Sequence, residues 1–580
     1  MSTAVADSAN KTDPLPWILT ALLTLSALWS RPLLPIDETR YLSVAWEMRH
    51  QGDYLVSHLN GETYAHKPPL LFWLINAVWS ITGVDEITGR LVVPVLSLCS
   101  VRLTQRMAQL IWKDNAAAAE SAAVIHCSCM LWMLLSQLTM FDVLLTVCVQ
   151  ISLLGLLQME QSVSAQTPEL RMKYVPLIPG TLMLGLGMGL GILSKGPVIL
   201  LHVLPVSVLG FVWSDRVRTH QGRWFLKLGC AIGIAAAAGL SWAVPSAISG
   251  GKAYAEELFW GQTANRMVNS FAHREPWWWY LVVAPLIVLP WFSISAIWRR
   301  DSKTRSAPYA RFLMIWMTGT LLLLSLISGK QLHYLLPVVP CAALLVAHRL
   351  TRQGISIIPS DLNFIIYGTT VGGLLPLVCN LFPGLSGGRL TGVCPSWLSV
   401  PLCLCGLNLL ALQDFSARNV IRRVGTSSVC FIAVLVAGLS LNFWPGFDVS
   451  RLANYVREQQ TKHSSVAWYG NYQGVLNFSG RLQSPMTELS SVEALRQWLK
   501  SHPDGLVVLP ISDPEIPVNP DFKTPLTSEE LQRVVLSLNS ENSRDQPPLK
   551  HQLKYGCWVR RGLTTGLLVV AQFDEAETPS

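Results

Sequence analysis

Long apolar runs separated by short breaks of charge, Pro or Gly fill the first three quarters of the chain. They lie near residues 17–34, 87–109, 116–137, 141–158, 175–194, 197–213, 226–246, 277–297, 310–328, 334–349, 363–383, 397–413 and 425–444. Each is close to the roughly 20 residues an α-helix needs to cross a bilayer, and none alternates with the short period of a membrane β-barrel. The pattern therefore predicts a polytopic α-helical membrane protein with about thirteen spans. The first run follows a polar stretch without a small-residue cleavage site, so it is expected to stay as a span.

Past residue 445 the pattern changes. Short β-like runs (SSVAWYG, GLVVLP, TGLLVVAQF), a helical stretch (SSVEALRQWLK) and turn clusters (SDPEIPVNPD, NSENSRDQPP) predict a small α/β domain over 445–580, behind a membrane domain over 1–444. Nothing in that tail forms an evident catalytic set.

Composition supports the membrane assignment: 51% of residues are hydrophobic, 14% charged, and the mean hydropathy is +0.37. The net charge of +8 does not argue for nucleic acid, because the basic residues alternate with the spans instead of gathering in one region. Of the twelve cysteines none forms a CxxC pair, and most lie inside apolar runs as small core residues (Cys99, Cys148, Cys230, Cys341, Cys430). With a cytoplasmic N-terminus, one set of loops carries Arg102, Arg106 and Lys113, then Arg216, Arg218 and Arg223. The same side holds Arg299, Arg300, Lys303 and Arg305, then Arg349 and Arg352, then Arg418, Arg422 and Arg423. The opposite loops are poorer in Lys and Arg, which orients them outward, and an odd number of spans places the C-terminal domain outside too.

The exported loops are where the unusual polar residues fall. The first, over 35–86, opens with PIDETRYLSVAWEMRHQGDYLVSHLNGETYAHKPPLLFW, which carries Asp37, Glu38, Arg40, Tyr41, Tyr64 and Lys67. Asp142 follows the third span, Lys195 the fifth, and Arg266, His273 and Arg274 precede WWWY of the eighth; Lys330, His333 and Tyr334 sit between the ninth and tenth. A single Lys at a span edge can simply snorkel to the interface. Several exported cations beside acids suit a phosphate, since Arg offers a planar fork and Lys a compact charge to anionic oxygens. Asp37 either forms a local ion pair with Arg40, or the two acids Asp37 and Glu38 face a cationic phosphate site and orient or deprotonate a nucleophile. Trp277, Trp278 and Trp279 read as an interfacial aromatic belt.

The order D-E-T-R-Y behind the first span, Y-x-x-K-P-P before the second, an exported Asp, a later Lys and R…HR-P-W-W-W-Y resembles the GT-C polyprenyl-phosphate glycosyltransferases. Within them the sequence is most similar to the family of the lipid A aminoarabinose transferase (ArnT), related to protein O-mannosyltransferases. The resemblance implies a GT-C fold with an exported C-terminal domain in a bacterial inner membrane. It also implies inverting transfer of a sugar, 4-amino-4-deoxy-L-arabinose in that branch, from undecaprenyl phosphate to a lipid A phosphate or similar periplasmic acceptor.

Carried over residue by residue, Asp37 is the catalytic acid, with Glu38 beside it and Asp142 as a second acid. Arg40, Tyr41, Tyr64, Lys67, Lys195, Arg266, His273, Arg274, Lys330 and Tyr334 make the substrate site. The chain has His66 where relatives commonly place Glu before K-P-P, which bears on sugar recognition and on any metal there. No metal or other cofactor is obligatory, because cations that stabilise the leaving lipid phosphate do the main work. Two alternatives stay open: an O-mannosyltransferase-like or other lipopolysaccharide-modifying transferase, and, from a different class, a lipid or sugar transporter. A transporter would commonly show internal repeats, and none is evident.

Overall fold

The computed structural model describes residues 13–113, 115–163, 179–265, 274–299, 308–352, 355–386, 393–462, 465–511, 551–561 and 564–573. Arg266, His273, Arg300, Lys303, Arg305 and both quoted turn clusters lie outside the described residues. Among the described residues seven helices are long and apolar enough to cross a membrane, Phe141–Val163 being the most enclosed by the rest of the chain. Shorter apolar helices, among them Leu15–Ser30, Ala116–Cys127, Gly180–Lys195, Val198–Val208 and Trp279–Val288, fall on the other predicted runs. One more, Leu70–Thr82, starts directly behind the Pro68-Pro69 pair and ends at Gly83, within the predicted first loop.

Helix packing brings the functional positions together. The stretch GTLMLGLGMGLGILSK is so rich in glycine that its backbone closes on both neighbours. A Cβ at Gly187 would stand 2.7 Å from the backbone nitrogen of Ser152 on one side, and at Gly185 2.7 Å from Cβ of Ile234 on the other. Gly155 faces the Gly180 and Leu184 backbones in the same way. The Phe141–Val163 and Gly180–Lys195 helices thus run side by side in opposite directions. The first residues of one, including Asp142, meet the last residue of the other, Lys195.

The two ends of the helical region differ in chemistry. At one end Arg418 pairs with Glu120 at 3.0 Å, Asn115 bonds Thr351 at 3.2 Å, Arg422 pairs with Asp13, and Arg349 and Arg299 cap nearby backbone carbonyls. At the other end lie the first loop, Lys195 and His333. Two cysteine expectations are corrected: Cys148 and Cys341 are buried, but Cys99 and Cys230 sit on the outer surface of their helices. A small apolar side chain is as suited to that surface as to the core.

Beyond Ser450 the chain builds a five-stranded sheet. Numbering the short hairpin of the first loop as β1 (His58–Leu59) and β2 (Glu62–Thr63), the sheet comprises β3 (Val466–Tyr469), β4 (Thr487–Leu489), β5 (Leu506–Ile511), β6 (His551–Arg561) and β7 (Thr564–Phe573). Their order is β4-β3-β5-β7-β6, with β3 parallel to β4 and β5, and β7 antiparallel to β5 and β6. Three of these strands and the helix Val492–Ser501 fall on the segments the sequence predicts. The three-residue β4, the β6 strand and the helix Ser450–Thr461 are additions.

The sheet region docks onto the first loop. Ser43 donates to the Gly474 carbonyl at 2.8 Å, Asn477 to Glu47 at 2.6 Å, and Asn60 exchanges two bonds of 2.8 Å with the Met486 backbone. Trp79 stacks on Phe478 at 5.4 Å between centroids.

Candidate functional site

The site is built on the helix Asp37–Gln51. Asp37 and Glu38 occupy its first turn, where carboxylates complement the helix dipole, and Gly52 ends it in the left-handed conformation that glycine adopts without strain. The two adjacent acids do not share a face. Asp37 keeps 44% of its side chain exposed and pairs with Arg40 one turn on. Glu38 is buried: it pairs with Arg31 at the end of the Leu15–Ser30 helix and accepts from the backbone nitrogens of Leu34 at 3.1 Å and Thr139 at 2.7 Å. Arg31 in turn donates to the Gln137 carbonyl, and Arg90 to the Arg31 carbonyl at 3.0 Å.

Burial alone would raise the Glu38 carboxyl, but the Arg31 charge and hydrogen bond, with Arg90 and the Thr139 amide, hold it below its usual range. Every strong acceptor direction of Glu38 is therefore spent on locking the first loop to the third, a structural task that its place in the expected acid pair does not suggest. Arg31 is not among the expected site residues.

Arg40 connects Asp37 to the rest of the site. Its guanidinium pairs with Asp37, donates through the other Nη to Gln473 Oε1 at 3.1 Å, and stands 5.4 Å from the Tyr41 ring centroid. Its Nε is buried and has no partner among the described residues. Tyr41 is buried beside Phe72 and edge-on to Phe141 at 4.9 Å. Burial first, then the Asp37 charge, push its phenol well above the ordinary value, so Tyr41 can donate a proton in a hydrogen bond but is no base near neutrality. Tyr64 packs against Phe72 and His66.

A second group of charges lies alongside. Lys195 Nζ is 2.6 Å from Asp142 Oδ1, the carboxylate buried and the lysine partly so, and 4.5 Å from the centroid of Tyr334. His333 Nε2 is 3.9 Å from the other Asp142 oxygen and its ring meets Tyr334 edge-on at 4.7 Å. Lys67 lies within electrostatic reach of both Asp142 and His333, and Asp37 within reach of His333 and Tyr41. The fold thus gathers Asp37, Arg40, Tyr41, Tyr64, Lys67, Asp142, Lys195, His333 and Tyr334 from four separate stretches of chain. His202, which the sequence does not single out, is buried within reach of Lys195 and Asp142.

Not every expected residue joins this group by contact. Lys330 is buried and its ammonium donates to the carbonyls of Glu275 at 3.0 Å and Ile327 at 2.6 Å, while Arg274 bridges Gly329 in antiparallel fashion. Both residues tie the segment before Trp277 to the segment before Leu332. Trp277 and Trp278 are exposed, as an interfacial belt requires. His66 Nε2 meets Glu257 Oε1 at 3.0 Å. Among the described residues no group of three His, Cys, Asp or Glu is placed to hold a metal.

Residues 66–242, which contain Lys67, Asp142 and Lys195, match the family model described as dolichyl-phosphate-mannose-protein mannosyltransferase. Over 350 residues the chain is 29% identical to an undecaprenyl phosphate-α-4-amino-4-deoxy-L-arabinose arabinosyl transferase of Pseudomonas aeruginosa, covering 60% of this chain and 61% of that protein. A transferase of the same name from Pectobacterium carotovorum is 30% identical over 335 residues, 57% of each chain. The chain therefore spans about three fifths of the length of these relatives. The crystal structure of ArnT from Cupriavidus metallidurans bound to undecaprenyl phosphate superposes with a TM-score of 0.69 at 17% identity, covering 96% of this chain and 97% of that one.

The fold is that of the GT-C class of membrane glycosyltransferases. Within the class it is ArnT-like.

Proposed function

We propose that the protein is an inverting glycosyltransferase of a bacterial inner membrane. It moves 4-amino-4-deoxy-L-arabinose from undecaprenyl phosphate to a lipid A phosphate at the periplasmic face. The observation that carries this reading is the meeting of a half-exposed carboxylate, Asp37, with Arg40 and the Lys67, Lys195, Asp142 and His333 group at one end of the helical bundle. The loops rich in Arg at the other end orient this one outward, with thirteen spans and the domain over 445–580 exported. The names of the relatives supply the sugar and the carrier.

In the reaction an oxygen of the acceptor attacks the anomeric carbon, and the bond from that carbon to the carrier oxygen breaks with its electron pair leaving on the phosphate. Arg40 and Lys67 stabilise the charge that develops there; in support, Arg40 Nε is a buried donor without a partner among the described residues. Lys195 and Asp142 neutralise one another, so Asp142 serves to position Lys195 and His333 instead of acting as a second base. A lipid A phosphate is already ionised near neutral pH. Asp37 then orients the acceptor or stabilises the positive sugar; with a hydroxyl acceptor it would take the proton.

Lys67→Ala is expected to weaken binding of undecaprenyl phosphate by about 10- to 100-fold, the loss of one charge-assisted contact. Titration of the carrier lipid into purified protein in detergent measures it. Affinity equal to wild type contradicts the phosphate role of Lys67. For the function itself, purified protein with undecaprenyl-phosphate aminoarabinose and lipid A should release undecaprenyl phosphate; no release with either present in excess contradicts the assignment.

A further inference from the structure

Arg40 is held from two sides, and one of them belongs to the C-terminal sheet region. We infer that Gln473 is a positioning residue for the Asp37 site, acting through Arg40; the inference rests on the proposed transferase reading.

Three observations carry it. Gln473 Oε1 accepts from one Nη of Arg40 at 3.1 Å while the other Nη pairs with Asp37, so a single guanidinium links the turn to the carboxylate. Gln473 has φ +52°, a conformation that residues other than glycine rarely adopt and that tertiary contacts must hold. The turn is held there: Ser43 donates to the next residue's carbonyl at 2.8 Å and accepts from the Phe478 nitrogen at 3.1 Å. Tyr472 and Asn477 bond each other, and Asn477 reaches Glu47 at 2.6 Å. Ser43 and Glu47, which anchor the turn, lie on the helix that carries Asp37 and Arg40.

The chemistry of the side chain fits the task. A neutral amide oxygen fixes the direction of the guanidinium without cancelling its charge, leaving that charge for Asp37 and for the carrier phosphate. A carboxylate in the same place would fix Arg40 equally well but, with Asp37 already paired to it, would turn the group net negative against the carrier phosphate. The C-terminal domain, which carries no evident catalytic set, thereby contributes an orienting group to the membrane site.

Gln473→Gly removes the amide and keeps the left-handed turn, because glycine takes positive φ without strain. It is expected to lower kcat about 10- to 100-fold, the scale of a misplaced catalytic geometry, with the donor KM within about twofold and an unchanged melting temperature. In an Arg40→Ala background the same substitution should have no further effect. Gln473→Glu should instead raise the donor KM. Wild-type kcat for Gln473→Gly, or a loss of equal size whether or not Arg40→Ala is also present, would overturn the inference.

A structure of the Gln473→Gly protein decides it independently of turnover. Arg40 is expected to leave its Asp37-facing position, and an unmoved Arg40 refutes the positioning role. Absence of turnover in the wild type would count against the transferase reading alone.

Discussion

Asp37→Asn should abolish sugar transfer in a protein that folds as the wild type does. The change keeps the shape of the side chain and deletes its charge, whichever of its two roles Asp37 plays. A lost general base or a lost stabilising carboxylate each costs about 10²- to 10⁴-fold in turnover. Stability should move little, because the carboxylate is nearly half exposed and an ion pair of that kind is worth only about 0–1 kcal/mol. Steady-state turnover with saturating donor, together with a thermal melt, separates the two quantities. A variant with full turnover would remove Asp37 from the reaction.

The neighbouring acid should show the opposite pattern. Glu38→Ala leaves the Arg31 guanidinium buried without its carboxylate and next to the positive Arg90, and breaking a buried pair in this way costs about 3–5 kcal/mol. The expected result is a large fall in melting temperature in detergent, with poor recovery of folded protein. The pH dependence has a definite sign. The Glu38 carboxyl titrates lower in the folded protein than in the unfolded chain, where the ordinary value is about 4.3. Its contribution is therefore fully present above that value and is lost as the pH falls through the folded value. Glu38→Gln should remove this part of the acid sensitivity. A Glu38→Ala protein that melts with the wild type would show that the lock between the first and third loops is dispensable.

The contrast between these two adjacent residues shows how far the sequence can be read. Apolar period and length locate the helices, because burial in a bilayer imposes both on each run separately. The residue types at the end that holds the candidate site are equally legible, since Asp37, Arg40, Lys67, Asp142 and Lys195 each stand out against an apolar background. Partnership is not. Lys195 and Asp142 are 53 residues apart and meet only because glycines let two antiparallel helices close. Glu38 looks like the twin of Asp37 in sequence, but the fold sets Arg31, an inconspicuous residue at a helix end, beside it. Arg40 and Gln473 are 433 positions apart, and no local pattern announces a turn that reaches back to the membrane domain. Lys330 reads as a substrate cation from its exported position, whereas its ammonium is committed to two carbonyls of the adjoining segments.

The most direct test of the central claim is mass spectrometry of lipid A from cells that lack the protein and are complemented with wild type or Asp37→Asn. The proposed function predicts an added aminopentose mass on lipid A phosphate with wild type and none with the variant. Unmodified lipid A in both would contradict transfer to that acceptor.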